Sequence, residues 1–207
     1  IKYTPEGDEA WVAEYDGPDG SEDFATAIAV DGEGNVYVTG ASQCTVPQAQ
    51  RNPLRQYGYA TIRYDSEGRV VWVRRFDKSG YSLAARAIAC DAEGNVFVTG
   101  DGDHSDTAIR IFGDQFATLK YDSDGDIQSL AEYASDIHVV SAAAVAGLVL
   151  DNAGHVYVAG STAVWDEPID FTLIQYLAIG SDLTHGDTWT DGCLRPGCGR
   201  SGFIRLL

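Results

Sequence analysis

The stretch Asp31-Gly32-Glu33-Gly34-Asn35-Val36-Tyr37-Val38-Thr39-Gly40 decides the fold, because the chain contains it three times. It returns as Asp91-Ala92-Glu93-Gly94-Asn95-Val96-Phe97-Val98-Thr99-Gly100, and again as Asp151-Asn152-Ala153-Gly154-His155-Val156-Tyr157-Val158-Ala159-Gly160, at an offset of 60 residues each time. Self-similarity at a fixed period of this size is the mark of a repeat architecture. The stretch itself reads as a β-hairpin. Ala27–Val30 and Val36–Val38 are short β-rich runs, and the Asp-x-x-Gly between them offers a carboxylate to the turn backbone and a glycine for positive φ.

A second motif is interleaved with the first. Ala60-Thr61-Ile62-Arg63-Tyr64-Asp65-Ser66-Glu67-Gly68 matches Ala117-Thr118-Leu119-Lys120-Tyr121-Asp122-Ser123-Asp124-Gly125, and more weakly Thr172-Leu173-Ile174-Gln175-Tyr176. Ile1-Lys2-Tyr3 to Gly7 and Trp11 to Tyr15 repeat Ile62 to Gly68 and Trp72 to Phe76. Two hairpins per unit make a four-stranded antiparallel sheet, and such sheets stack radially because neither apolar face can be left bare. The expected fold is all-β, a β-propeller of four-stranded blades. It has a leading half blade at 1–15, blades at about 25–76, 86–133 and 144–189, and a Cys-containing tail at 190–207.

The paired phrases Ala27 to Gly40 and Thr61 to Trp72 resemble the seven-bladed β-propeller repeat of bacterial and archaeal surface or secreted proteins, a relative of the NHL-like propellers. The resemblance covers about residues 1–180 and implies a ring of about seven blades. The last copy departs from it: Ala178-Ile179-Gly180-Ser181-Asp182 stands where the Asp-x-x-Gly turn is expected, so the fourth strand of that unit has no turn signal. Because the repeat starts in mid-unit, the remaining blades of a longer chain, or a second copy of this one, are expected to close the ring. Ser201–Leu207 folding back as a capping strand is the other option.

Composition narrows the function classes. Across 207 residues, 44% are hydrophobic and 22% charged, which suits a globular protein and excludes disordered and collagen-like chains. Lys and Arg number 14 against 31 Asp and Glu, a net charge of −17, so the surface repels nucleic acid and anionic membranes. No run approaches the roughly 18 to 20 apolar residues of a membrane span, and no membrane insertion is expected.

The turns at 31–35, 65–68, 91–95, 122–125 and 151–155 share one end of the blades and read as structural. The longer connections at 41–58, 101–115 and 161–170, with those between blades, lie at the opposite end, where binding residues ride above a rigid scaffold. There, Arg51, Arg55 and Tyr57 are candidates for an anionic ligand such as a carboxylate or sulfated sugar, against the plainer reading that the arginines pair with acidic neighbours. Trp165, beside Asp166 and Glu167, suits sugar binding or the capping of a blade end. Asp103, His104 and Asp106 offer oxygen and nitrogen to a divalent cation such as calcium, against the reading of a solvated acidic turn; no other cofactor is expected. Asp122-Ser123-Asp124-Gly125-Asp126 mimics a calcium loop but lacks the acidic twelfth ligand, and its aligned copies are ordinary turns.

The recurring aromatics Tyr3, Tyr64, Tyr121 and Tyr176, with Trp11 and Trp72, read as packing between blades, and Tyr37, Phe97 and Tyr157 share one repeat position. Cys90 aligns with Val30 and Leu150 and is expected to be a small buried apolar residue. Cys193 and Cys198 suit a local disulfide, in keeping with an extracellular or cell-surface location. No Gly-x-Ser-x-Gly elbow, His-Glu-x-x-His or phosphate loop is present, and His104, His138, His155 and His185 do not recur as a set. The sequence therefore favours a non-enzymatic surface module that meets a protein or glycan through its long-loop face. The competing reading is a lyase or hydrolase propeller with a divalent metal near the axis.

Overall fold

The computed structural model describes residues 1–18, 20–46, 54–78, 81–104, 115–134, 140–164, 169–179, 182–191 and 203–204. Several strand ends are described by their backbone alone, among them 44–46, 54–55, 103–104, 140–143 and 184–191. The described residues are all β and contain no helix, so none is long and apolar enough to cross a membrane. Four antiparallel sheets follow one another along the chain. The first is the pair β1 (Lys2–Tyr3) and β2 (Glu9–Trp11). The second has the order β3 (Asp23–Val30), β4 (Val36–Val46), β5 (Leu54–Tyr64), β6 (Val70–Phe76). The third repeats that order with β7 (Tyr81–Cys90), β8 (Val96–His104), β9 (Gln115–Tyr121) and β10 (Ile127–Ala134). The fourth does so with β11 (Val140–Leu150), β12 (Val156–Val164), β13 (Asp170–Ile179) and β14 (Asp182–Asp191), and adds β15 (Phe203–Ile204) outside β14.

The first strands of the three full sheets stand side by side, β3 against β7 and β7 against β11, while β7 also lies over β4 and β5 of the sheet before it. This is the arrangement of propeller blades around an axis, here an open arc. The same β-bulge recurs in each first strand, between Ala25 and Ala27, Ala85 and Ala87, and Val145 and Gly147. It adds twist at one place in every blade. At the first of these bulges the Thr26 hydroxyl donates to the Ala85 carbonyl of the next blade at 2.6 Å.

The core lies between blades. Tyr37, Tyr59 and Trp72 of one blade form a single buried cluster with Leu83, Ile88 and Val98 of the next, and Phe97 and Phe116 do the same with Leu148, Val158 and Ile174. Each recurring tryptophan crosses the boundary. Trp11 packs on Tyr64 and donates its indole N–H to the Ser66 carbonyl at 3.2 Å; Trp72 packs on Tyr121 and donates to the Ser123 carbonyl at 3.1 Å. The receiving turn must carry glycine for two reasons. Gly68 and Gly125 both have φ of 83°, and a Cβ at either would lie 2.6 or 2.8 Å from the tryptophan ring above it.

Two expectations need amendment. In the connections 41–58, 101–115 and 161–170, residues 41–46, 54–58, 101–104, 115, 161–164 and 170 are strand, not loop: β4 and β5 stay paired from Val36↔Tyr64 to Val46↔Leu54, and β8 pairs with β9 out to Gly102↔Gln115. Backbone ladder bonds need no apolar side chains, so buried Ser42, Gln43 and Gln56 continue the sheet without the alternation that marks a strand in sequence. The fourth strand of the last unit also forms without its turn signal, as β14 in register from Ile179↔Asp182, and Leu183 N–H donates to the Ser129 hydroxyl of the preceding blade at 2.8 Å. Of the tail, Phe203 and Ile204 pair with Trp189 and Thr188.

The seat of Trp72 makes a sharp prediction. Trp72→Ala should cost about 3–5 kcal/mol in urea unfolding. Gly94→Ala meets nothing nearer than 3.5 Å and should cost only the backbone penalty of about 1–2 kcal/mol. Gly125→Ala should cost clearly more in the native background and fall toward the Gly94→Ala value once Trp72→Ala is present, the remaining difference coming from Arg74 Nε at 3.1 Å; equal penalties in both backgrounds would refute the contact.

Burial pushes the Tyr121 phenol up to about 12, with Thr61 and Arg74 acting the other way. An unfolded tyrosine ionises near ~10, so the folded state keeps this contribution below pH ~10 and loses it as pH climbs through about 12. Unfolding free energies from urea titrations at pH 9 to 12 should fall, by about 2 kcal/mol from this residue, and Tyr121→Phe should flatten the fall.

Candidate functional site

The two ends of the blades differ in chemistry. At the short-turn end, the Asp of each first hairpin is consumed by its own turn. Asp31 Oδ1 accepts from the Glu33 and Asn35 amides at 2.9 Å each, and Oδ2 from the Asn35 side chain at 2.8 Å and the Tyr37 hydroxyl at 3.0 Å. Asp91 repeats this with Glu93 and Asn95. Asp151 repeats it with Ala153, His155 and Tyr157, the imidazole Nδ1 lying 2.7 Å from Oδ2. His155 thus stands in for Asn35 and Asn95 as a turn residue. Burial by itself would raise the Asp31 carboxyl, but the bonds from Asn35 and Tyr37 outweigh it and hold the group below its ordinary value. The bond from the His155 ring, then those from the backbone, hold Asp151 down to about 2.

Asp122 is spent in the same way in the second hairpin, accepting from the Asp124 and Asp126 amides and from the Gln128 side chain at 2.6 Å. These bonds account for the calcium-like spacing as turn chemistry. Between the first two full blades at this end lies a crevice of 440 Å³ bordered by Asp31, Glu33, Arg63, Cys90, Asp91 and Glu93. Arg63 crosses it, with its guanidinium over the Tyr37 ring and one N–H on the Ser123 carbonyl at 2.7 Å. Lys2 makes the matching contact to the Ser66 carbonyl one blade earlier. Cys90 is half-buried, and burial first, then the nearby Asp31 and Asp91, pushes its thiol up; a protonated thiol of this kind is a packing group, not a nucleophile.

At the opposite end the first full blade carries a cluster of different residues. Tyr57, near the start of β5, donates its hydroxyl to Glu22 at 2.7 Å and packs against Phe24, ring centroids 6.1 Å apart. Arg75 reaches Ser42 and the Tyr15 hydroxyl, tying the half blade to the next, and pairs with Asp77. In the following blade Asp101 accepts from Arg86 at 3.0 Å and from the Val145 amide of the blade beyond at 3.2 Å, so its carboxylate bridges two blades. Lys78 pairs with Glu132 at 2.7 Å and lies over the Tyr81 ring.

Of the residues singled out from sequence, Tyr57 is in place at this end. Arg55 lies two residues along the same strand, opposite Thr45. Asp103 and His104 are strand residues of β8, opposite Ser82 and Tyr81, not members of an open loop. Arg51, Asp106, Trp165, His138, Cys193 and Cys198 lie outside the described residues. Among the described residues, no three His, Cys, Asp or Glu side chains come together as a metal site. Sequence reasoning missed Glu22 and Phe24, which precede the repeated motif and which only the fold brings to Tyr57, and it read Asp101 as part of an acidic loop, not as a bridge between blades. The available signal for Asp101 was its place directly after the repeated Gly100, where the other copies have Ala41 and Ser161.

The Asp151 turn should show itself by titration. Its carboxyl resonance in NMR should titrate at about 2, and in His155→Ala should move up toward the ordinary carboxylate value of about 3.9. The stabilising contribution of the group is present above its unfolded value and is lost as pH falls through about 2; an ordinary midpoint in the native chain would remove the network from the account.

Compared with models of known protein families, residues 17–43 match the SBBP β-propeller repeat. The matched segment takes in β3 and most of β4, the inner hairpin of the first full blade. No curated protein matches the chain.

Proposed function

We propose that this β-propeller repeat module is part of an extracellular or cell-surface ring, seven-bladed as its repeat resemblance implies, and that it engages a protein or glycan at the end opposite the short turns, without catalysis. The observation that carries this reading is the contrast between the two ends. At the short-turn end the repeated carboxylates of Asp31, Asp91, Asp122 and Asp151 are occupied by their own turns, blade after blade. At the other end the hairpins differ from blade to blade in length and residues, and the first carries an aromatic pair, Tyr57 and Phe24, beside the Glu22 carboxylate. Variable polar and aromatic residues on an invariant frame suit recognition. The net charge of −17, with 11 Arg against 3 Lys, suits a module that stays dispersed in solution.

The reading also fixes which anions are sensible ligands. A large negative field repels diffuse polyanions, so an acidic sugar is bound only where arginine forks meet it directly, and Arg51, Arg55 and Tyr57 are the residues assigned to that role.

A glycan array that includes sulfated and uronic-acid sugars tests the reading, followed by calorimetry with heparin as the sulfated probe. Binding should fall at least tenfold in the triple variant Arg51→Ala, Arg55→Ala, Tyr57→Ala, with the circular dichroism unchanged. Retention of full affinity by that variant would overturn the assignment. Calcium-dependent cleavage of a polysaccharide, abolished by His104→Ala, would instead establish the lyase or hydrolase reading.

A further inference from the structure

Aligning the three full blades position by position isolates one charged pair. The bulge of each first strand carries one extra residue, Thr26 in β3, Arg86 in β7 and Ala146 in β11, and all three are exposed. Only the second of them is charged. Asp101 stands apart in the same way from its counterparts Ala41 and Ser161, so the arginine and the aspartate occur together, in the same blade. Arg86 donates from Nε to both carboxylate oxygens, at 3.0 and 3.1 Å, and Asp101 Oδ2 also accepts from the Val145 amide of the next blade at 3.2 Å. The Asp101 side chain is 13% exposed and that of Arg86 46% exposed, so the carboxylate is covered and the guanidinium faces outward.

A guanidinium carries N–H donors on every nitrogen, all in one plane, and here only Nε is spent. Among the described residues nothing accepts from Nη1 or Nη2 of Arg86, which leaves the end-on fork of the group without a protein partner. The other arginines of the described strands are used differently. Arg63 and Arg74 donate to turn carbonyls of the next blade, and Arg75 to Ser42 and Asp77. The surroundings of the fork are open. The first strands β3, β7 and β11 stand side by side along the inner side of the arc, and β7 has no strand paired to its second edge among the described strands. At the same level on either side are Thr26 and Ala146, neither long enough to cover a guanidinium, and the Thr26 hydroxyl already donates to the Ala85 carbonyl.

We propose that Arg86 is an anion-binding residue on the inner wall of the arc, taking a single carboxylate group end-on through Nη1 and Nη2, and that Asp101 is its positioning residue. A flat acceptor with two oxygens matches the fork, and the bond at Nε fixes the plane in which it must arrive. Asp101 is itself fixed by the Val145 amide, so the orientation of the fork is set by the packing of two blades. The aspartate also cancels the arginine's charge. A compact monoanion can therefore be held by directed hydrogen bonds, whereas a polyanion meets the repulsion of a chain of net charge −17. The site shares no residue with Arg51, Arg55 and Tyr57, and it stands or falls apart from the binding assigned to them.

An NMR titration of the isotope-labelled 207-residue chain with sodium acetate, against sodium chloride at equal ionic strength, tests the proposal. The Arg86 Nε–H and Val145 amide resonances should shift and saturate with acetate and not with chloride. Arg86→Lys keeps the charge and loses the fork, and should weaken acetate binding about tenfold, read at the Val145 amide. Asp101→Asn makes the site more positive and should nevertheless weaken binding about threefold, read at the Arg86 Nε–H, because the fork is no longer held in its plane. Amide spectra that otherwise match the native chain show that both variants are folded. Sodium glucuronate and a blocked aspartyl amide repeat the titration, and the tighter of the two tells a sugar acid from an acidic side chain as the source of the carboxylate. Equal responses to acetate and chloride, or undiminished binding in Arg86→Lys, overturn the proposal. Tighter binding in Asp101→Asn overturns the positioning role of Asp101.

Discussion

A four-stranded sheet that is apolar on both faces must be covered twice, and the rest of this chain's design answers that demand. An isolated sheet of this size buries one side of each residue at most, and the entropy lost in ordering it is not recovered. The described blades accordingly place their largest side chains at the boundaries, Tyr37 and Tyr59 facing forward to meet Ile88 and Val98, which face back. Stability is therefore a property of neighbouring pairs, and it falls off toward a face that has lost its neighbour. Phe171 shows this at the far side of the arc: it is 59% exposed, while its counterparts Tyr59 and Phe116 are fully buried under the following blade.

The tryptophan seat shows how two distant positions are bound to vary together. Trp11 above Gly68 and Trp72 above Gly125 leave no room for a side chain on the turn, and the turn carbonyl in each case accepts the indole N–H. At the third boundary both partners have gone. Ser129 occupies the tryptophan position, and the turn that would receive it has become Ala178 to Asp182. A hydrogen bond crosses there nonetheless, now with the Leu183 amide donating to the Ser129 hydroxyl. Loss of either partner alone would leave a void under the turn or a tryptophan without a seat, so the exchange is understandable only as a pair.

Where the sequence was legible, a residue type had one physical use. Asp31, Asp91 and Asp151 were readable because an Asp-x-x-Gly between β-rich runs has one good way to spend its carboxylate, and Trp11 and Trp72 because a large aromatic repeated in register needs a neighbouring sheet. The long hairpin ends were not readable. Ala41, Ser42 and Gln43 give no alternation, and their membership of β4 rests on backbone pairing with Gly58 and its neighbours, which composition does not encode. Tyr57 was singled out as a binding residue from its company in sequence, Arg51 and Arg55. In the fold its company is Glu22 and Phe24, which a 33- to 35-residue separation hides from any local reading.

The same reasoning separates scaffold from site. A carboxylate with four acceptor positions can support a turn or meet a ligand, and in the first hairpins three or four donors of the turn itself already surround it. Such a group is held in place, and it offers an incoming cation or sugar little that its own turn has not taken. Repetition at the short-turn end thus has a structural cause, and it frees the opposite end from that constraint. There the strands have left the repeated motif, the bonds run between residues that differ in each blade, and Asp101 joins its neighbour in a way that no other copy can reproduce, since Ala41 and Ser161 have no carboxylate. Individual chemistry is possible in this chain only where the frame has stopped needing identical residues, and that place is the end of the long hairpins.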